Sequence, residues 1–235
     1  DNTTGASNTA LGHQAMILNT TASNNTAVGK SALEANTTGS ENTAVGTLAL
    51  DANTTGINNV GIGYGALGEN TTADSNTAVG RTALNNCTTG NYNVGFGYNA
   101  GVSITTGNRN TAIGSLALDS NTVGDRNVAV GMGSLGTFNP ASNADTYNVA
   151  IGYDAMFGTT TGVENTAVGG LALDANTTGD NNEAFGYAAL SANTTGSNNT
   201  ALGTIAMLYN TTGQYNVAVG RSALNANSTA SSNTA

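Results

Sequence analysis

The sequence predicts an all-β fold, a parallel β-solenoid (β-roll) of 17-residue coils, on three observations. A motif close to Asn-Thr-Ala-Val-Gly-x-x-Ala-Leu-x-Ala-Asn-Thr-Thr-Gly-x-x returns thirteen times, and a fourteenth copy has begun at Asn233. The step between leading Asn residues is 17 from Asn8 to Asn127 and again from Asn148 to Asn233, with a single step of 21 between Asn127 and Asn148. Apolar, small and variable residues keep to separate columns when the copies are aligned. A fixed short period marks repeats that bury their apolar side only against their neighbours.

The columns define the elements of one coil, counted from the leading Asn as position 0. Positions 1 to 3 predict a strand. Position 3 is always apolar and mostly β-branched (Val28, Val45, Ile62, Phe96, Ile151, Val219), which predicts a side chain pointing into a core. Position 1 alternates between Thr and Val, with Glu183 its one charged member, as expected for a half-buried site on the same strand face. Position 4 is Gly in every complete copy, from Gly12 to Gly220, which predicts a turn at positive φ or a close backbone approach. Position 8 is Leu or Met in all copies but one, where Gly101 stands, and forms a second predicted core column.

Positions 2 and 7 accept almost nothing larger than Ala (Ala27, Gly61, Ala150; Ala32, Ala172, Ser134). Neighbours of an inward strand residue point outward, where polar side chains normally suffice. The small columns therefore predict a second packed surface, either tight corners within one chain or a face on which other copies pack. The latter makes a parallel homotrimer or higher fibre the expected assembly.

The rest of the coil, Asn-Thr-Thr-Gly as in Asn36–Gly39 and Asn193–Gly196, is turn chemistry. Stacked, it predicts polar ladders of Asn amides and Thr hydroxyls. Variable positions 5, 6, 9, 15 and 16 carry nearly all the charge and are expected to face water. The single 21-residue copy places a four-residue insertion within 132–147, around the only proline, Pro140, and predicts a bulging loop. Residues 1–235 are thus expected to be one solenoid segment of about thirteen coils, and its partial first and last copies suggest a piece of a longer fibre protein.

Composition narrows the function classes. Five Lys and Arg against fourteen Asp and Glu, a net charge of −9, disfavour nucleic acid and anionic membranes as partners. No apolar run is long enough for a membrane span, so no membrane insertion is expected of this segment. Cys87 is alone and is expected as a free thiol. Catalysis needs a converging nucleophile, base and electrophile, whereas the only histidine, His13, stands in a variable column without a partner motif. No catalytic residue, cofactor site or metal site is predicted: Cys and His do not cluster, and no carboxylate recurs in a fixed column.

Candidate surface contacts are Tyr64, Tyr98, Tyr153 and Tyr187, which share position 5 after the Gly turn, together with Phe138 and Pro140 of the insertion. Asn-x-Ser/Thr strings make Asn36, Asn53, Asn70, Asn176, Asn193 and Asn210 candidate glycosylation sites, although the repeat generates such strings for structural reasons as well.

The half-repeat Asn-Thr-Ala-Val-Gly-x-x-Ala, as in Asn25–Ala32 and Asn165–Ala172, resembles the head repeats of trimeric autotransporter adhesins and similar repeats of phage tail-fibre and bacterial surface-fibre proteins. The resemblance covers the whole chain, but the coil here is longer by an Asn-Thr-Thr segment. It implies a trimer of β-rolls on a cell surface or virion, with surface glycans or matrix as partners. The expected function is a structural rod of an extracellular fibre (adhesin head or stalk, surface filament or tail fibre) giving reach and multivalent attachment. The alternative expectation is an ice- or crystal-surface-binding solenoid that uses the Thr columns at positions 12 and 13, such as Thr37-Thr38 and Thr194-Thr195.

Overall fold

A computed structural model describes residues 2–235. The described residues are all-β, with thirteen parallel strands of three residues each and no helix. The chain forms two compact units, Asp1–Ser115 and Leu116–Ala235. The first holds β1 (Thr9–Leu11), β2 (Thr26–Val28), β3 (Thr43–Val45), β4 (Val60–Ile62), β5 (Thr77–Val79), β6 (Val94–Phe96) and β7 (Thr111–Ile113). The second holds β8 (Val128–Val130), β9 (Val149–Ile151), β10 (Thr166–Val168), β11 (Glu183–Phe185), β12 (Thr200–Leu202) and β13 (Val217–Val219). Within each unit every strand pairs in parallel with the next, and equivalent positions stand in register: Thr26 on Thr43, Ala27 on Ala44 and Val28 on Val45, or Thr166 on Glu183, Ala167 on Ala184 and Val168 on Phe185. Each unit is a β-solenoid with one strand per coil.

Three strand residues in seventeen understate the pairing, because the rest of the coil ladders as well. Gly29 N–H reaches the Leu11 carbonyl of the preceding coil, Leu33 N–H the Ala49 carbonyl of the following coil, and Thr37 N–H the Thr54 carbonyl, at 2.8, 3.1 and 3.0 Å. Buried backbone polar groups need partners, and here a neighbouring coil supplies them around most of the circuit. The turns that make this possible place position 8 in the left-handed region, as in Leu33 (φ 51°), Leu50 (φ 52°) and Leu84 (φ 49°). Position 4 adopts φ of 139° at Gly29 and 136° at Gly80. A Cβ at Gly80 would lie 2.4 Å from the Gly97 carbonyl oxygen, so the column needs both the positive φ and the close approach.

The core differs from the expected one by an inversion of the strand. Ala27, Ala44, Ala78, Ala167 and Ala201, all at position 2, are fully buried, whereas the Val/Ile column at position 3 lies on the outer face together with position 1. Phe96 is 55% and Leu202 49% exposed. The alternation of the strand holds; its faces are exchanged. The reason is volume. Position 2 sits over the position-8 leucine of the preceding coil, and even a Cβ at Gly61 would come within 3.2 Å of Leu50 Cγ. Position 7 is buried too, as in Ala32, Ala49 and Ala172. The small columns therefore fill the inside of one chain's coil against Leu33, Leu50, Met156 and Leu190, and are not a surface for other copies.

Asparagine completes the interior. The position-0 side chain ties each coil to itself and to the next: Asn42 Nδ2 donates to the Gly56 carbonyl at 2.8 Å, closing its own coil, and Asn42 Oδ1 accepts the Asn59 N–H at 2.9 Å. At position 11 a second ladder runs through Asn36, Asn53 and Asn70, each Nδ2 donating to the Oδ1 of the coil before. This is the expected amide ladder, found inside the coil. The Thr hydroxyls behave differently, since Thr37 Oγ1 donates to the Thr54 carbonyl at 3.1 Å and not to another hydroxyl. A third ladder occupies position 15, where short acceptors take the backbone N–H of the preceding coil: Ser23 N–H to Ser40 Oγ and Ile57 N–H to Asp74 Oδ1.

Candidate functional site

With Leu, Ala and Asn inside, the surface of each coil is left to four features: the outer strand face, the position-5 and position-16 columns, the Thr turn and the insertion. The outer face of the first unit carries Leu11, Val28, Val45, Ile62, Val79, Phe96 and Ile113 in one file, and that of the second Val130, Ile151, Val168, Phe185, Leu202 and Val219. Beside them runs the Thr/Val file of position 1. Glu183 belongs to it and accepts a hydrogen bond from Thr200 Oγ1 at 2.9 Å, which is how a carboxylate stands on an otherwise apolar strand face.

Position 5 follows the Gly turn and projects outward. Tyr64, Tyr98, Tyr153 and Tyr187 are all exposed. Arg81 stands between the first two, its guanidinium carbon 5.7 Å from the Tyr64 ring centre and 5.6 Å from that of Tyr98. The same pairing recurs at position 16, where Arg109 lies over Tyr92 and Arg126 over Tyr147, each at 5.6 Å. Asp145 of the insertion pairs with Arg126 and accepts a hydrogen bond from Tyr147 Oη at 3.0 Å. Sequence reasoning picked the position-5 tyrosines but missed their arginines. The signal was available as Arg81 between Tyr64 and Tyr98 in one column.

The insertion divides its two candidates. Pro140 is half-buried. Phe138, expected as a surface contact, is 0% exposed: it takes position 11, the place of the ladder Asn, and points into the coil. The glycosylation candidates are also corrected. Asn36, Asn53, Asn70, Asn176, Asn193 and Asn210 are buried in the position-11 ladder. A glycan would attach through Nδ2, and in Asn53 that atom donates both to Asn36 Oδ1 at 2.8 Å and to the Gly56 carbonyl at 3.1 Å. The folded coil therefore buries all six amides, and in all but Asn176, whose Nδ2 donates only to the Gly179 carbonyl, both N–H groups are engaged.

Cys87 occupies the same column and is a free, buried thiol whose Sγ donates to the Gly90 carbonyl at 3.2 Å. Burial pushes its pKa up to about 12, so the thiolate is suppressed at neutral pH. Asp51 is pushed up to about 6, chiefly by burial, with the charges of Glu69 and Glu34 adding to it. Burial raises Asp119 as well. His13 is exposed. Among the described residues no cavity is present, no three His, Cys, Asp or Glu side chains gather where they could hold a metal ion, and no helix is long and apolar enough to cross a membrane.

Comparison with protein-family models, curated proteins and solved structures finds no match to this chain.

Proposed function

We propose that this chain is a structural, self-associating solenoid segment of an extracellular fibre, in which copies pack side by side in parallel through their outer strand faces. One observation carries the proposal: the apolar file at position 3 lies on the outer face along both units, exposed at Ile62, Phe96, Ile113, Ile151, Phe185 and Leu202 and half-buried at Val28, Val45, Val79, Val130 and Val168, with Phe96 at 55% and Leu202 at 49%. Soluble monomers rarely leave a contiguous apolar patch of more than a few hundred Å² uncovered. In the first unit alone seven such residues stand at the strand spacing of about 4.8 Å, a strip of roughly 30 Å by 10 Å. A second copy is the occupant that matches it best, because an identical repeat repeats its contacts coil for coil and a heterologous surface would have to reproduce that period.

Threonine, valine and isoleucine files suit a face that meets its own kind, and a symmetric seam lets three chains share it. The likeness of the half-repeat to trimeric adhesin heads supports the same assembly, now with the Val/Ile file as its seam and the Ala columns inside each chain. Function on this reading is mechanical: reach, stiffness and repeated weak contacts on the remaining faces. Light scattering tests it. Wild-type protein is expected to sediment and scatter as a multimer, and Val79→Glu with Val168→Glu, both outward-facing, is expected to give a folded species of lower mass. A wild-type monomer at high micromolar concentration would sink the proposal.

Recognition of an ordered surface by threonine is the second reading, favoured by one row only. The position-13 threonines Thr21, Thr38, Thr55, Thr72 and Thr89 are exposed and one coil apart. The neighbouring position-12 hydroxyls are engaged within the chain, Thr54 Oγ1 donating to the Thr71 carbonyl at 2.9 Å. Thermal hysteresis that disappears on replacing Thr38, Thr55 and Thr72 by Tyr would favour this reading over the first.

A further inference from the structure

Wherever arginine and tyrosine are neighbours in one column within a unit of this solenoid, the guanidinium lies over the ring at cation–π distance, 5.6 or 5.7 Å from its centre. Arg81 is held between Tyr64 and Tyr98, and Arg109 and Arg126 each cover one ring. The sandwich of the first unit has a counterpart in the second that lacks its filling. Tyr153, Gly170 and Tyr187 occupy position 5 of three successive coils, with glycine where Arg81 stands. A Cβ built on Gly170 would meet only Tyr187 Cδ2 at 3.7 Å and the Tyr153 carbonyl oxygen at 3.9 Å, so the floor between the two tyrosines is open. The tyrosines are 52% and 57% exposed, and two coil steps separate them by about 10 Å. Tyr64 and Tyr98 are the same two steps apart and accommodate a guanidinium between them.

We propose that Tyr153, Gly170 and Tyr187 form a slot for the guanidinium of an arginine presented by another polypeptide. A planar cation can offer a face to each ring, which an ammonium cannot, so arginine is preferred to lysine. Charge favours a cation as well: Asp154 adjoins Tyr153, and through a hydrogen bond and its charge raises the pKa of that hydroxyl. The net charge of the chain is −9. Its own arginines are poor candidates for the slot, because three of the four are already stacked on tyrosines of this chain. The proposal is independent of the outer strand face and of self-association.

Blocked arginine, N-acetyl-arginine N-methylamide, titrated into the full chain and followed by NMR of labelled tyrosine rings, tests it. Saturable shifts are expected at Tyr153 and Tyr187, with a dissociation constant in the millimolar range, and the blocked lysine analogue should bind about threefold more weakly or worse. Gly170→Arg, which the open floor admits, writes the first-unit sandwich into the second and is expected to weaken binding about tenfold or more while the protein stays folded. Arg81→Gly should do the reverse and create a second saturable site at Tyr64 and Tyr98. Arg221→Ala should leave the mass of the assembly unchanged; a loss of self-association that Gly170→Arg reproduces would overturn the choice of a different polypeptide as partner. Absence of saturable shifts in the wild type, equal binding of lysine, or saturation of the slot by a methyl pyranoside but not by arginine would overturn the slot itself.

Discussion

Replacing Asn59 by alanine removes one stitch from the middle of the first unit, and the structure sets the size of the effect. Asn59 Oδ1 accepts the buried Asn76 N–H at 2.9 Å, and Asn59 Nδ2 donates to the Ala73 carbonyl at 2.8 Å. The Ala73 oxygen retains a longer bond from Asn70 Nδ2 at 3.2 Å. The Asn76 N–H loses its acceptor, and an orphaned buried donor costs about 1–3 kcal/mol, while the lost bond at Ala73 costs about 1. The void of one carboxamide adds about 1 kcal/mol. Asn59→Ala is therefore expected to lower stability by about 3–5 kcal/mol, a large part of the roughly 5–15 kcal/mol typical of a domain. Because a solenoid couples each coil mainly to its neighbours, the damage should be centred on the coils beginning at Asn59 and Asn76. Urea unfolding gives the total, and amide hydrogen exchange gives its place. A loss below about 1 kcal/mol with the Asn76 amide still protected would refute the claim that the position-0 ladder holds the coils together.

Three further perturbations probe the other columns. Thr159 takes a ladder position with its hydroxyl buried and without a partner; Thr159→Asn can donate to the Gly162 carbonyl and accept from Asn176, and should stabilise by about 1–2 kcal/mol in urea unfolding. Gly80→Ala drives a Cβ to 2.4 Å from the Gly97 oxygen at φ 136°, and should cost about 3 kcal/mol or more, whereas Gly170→Ala, with open space around its Cβ, should change the melting temperature little. Asp51 has a folded pKa of about 6, above its reference value of 3.8. The neutral acid is the form the fold favours, so this group's contribution is fully present below the reference value and is lost as pH rises through about 6. Melting temperatures between these pH values should fall with rising pH in the wild type, and less so in Asp51→Asn; Asp119, raised in the same direction, contributes to the remaining slope.

The columns of the sequence disclosed the coil, its Gly corner and its amide ladder, because each depends on one residue type recurring at one spacing. Orientation was a different matter. Alternation placed Thr26 and Val28 on one face and Ala27 on the other without saying which face was inside, and hydropathy pointed the wrong way. Room decides it: above Leu50 a Cβ is already a tight fit at 3.2 Å from its Cγ, and above Leu84 a Cβ would come to 2.7 Å, so nothing larger than Ala can stand there. Glu183 beside Val and Phe was the available warning, since a carboxylate seldom tolerates a core. The left-handed leucines at position 8 left no trace, because their φ near 50° is imposed by the turns on either side and leucine has no propensity for it. The open slot at Gly170 was legible only after the Arg81 sandwich had shown what position 5 does.

The ladder that continues around the corners has a bearing on proteolysis. A protease must draw several residues into an extended strand of its own, and in an interior coil nearly every such segment is tied to the coil on each side. The insertion is the exception: residues 141–145 are exposed, and Pro140 interrupts the pattern of backbone donors. Limited digestion by a protease of broad specificity is expected to nick the chain there first, giving two resistant fragments of different length that stay paired through β8 and β9 and separate only on denaturation. The four residues that break the period would then mark where the solenoid can be cut, and also where an extra domain could be spliced in with least cost to the coils.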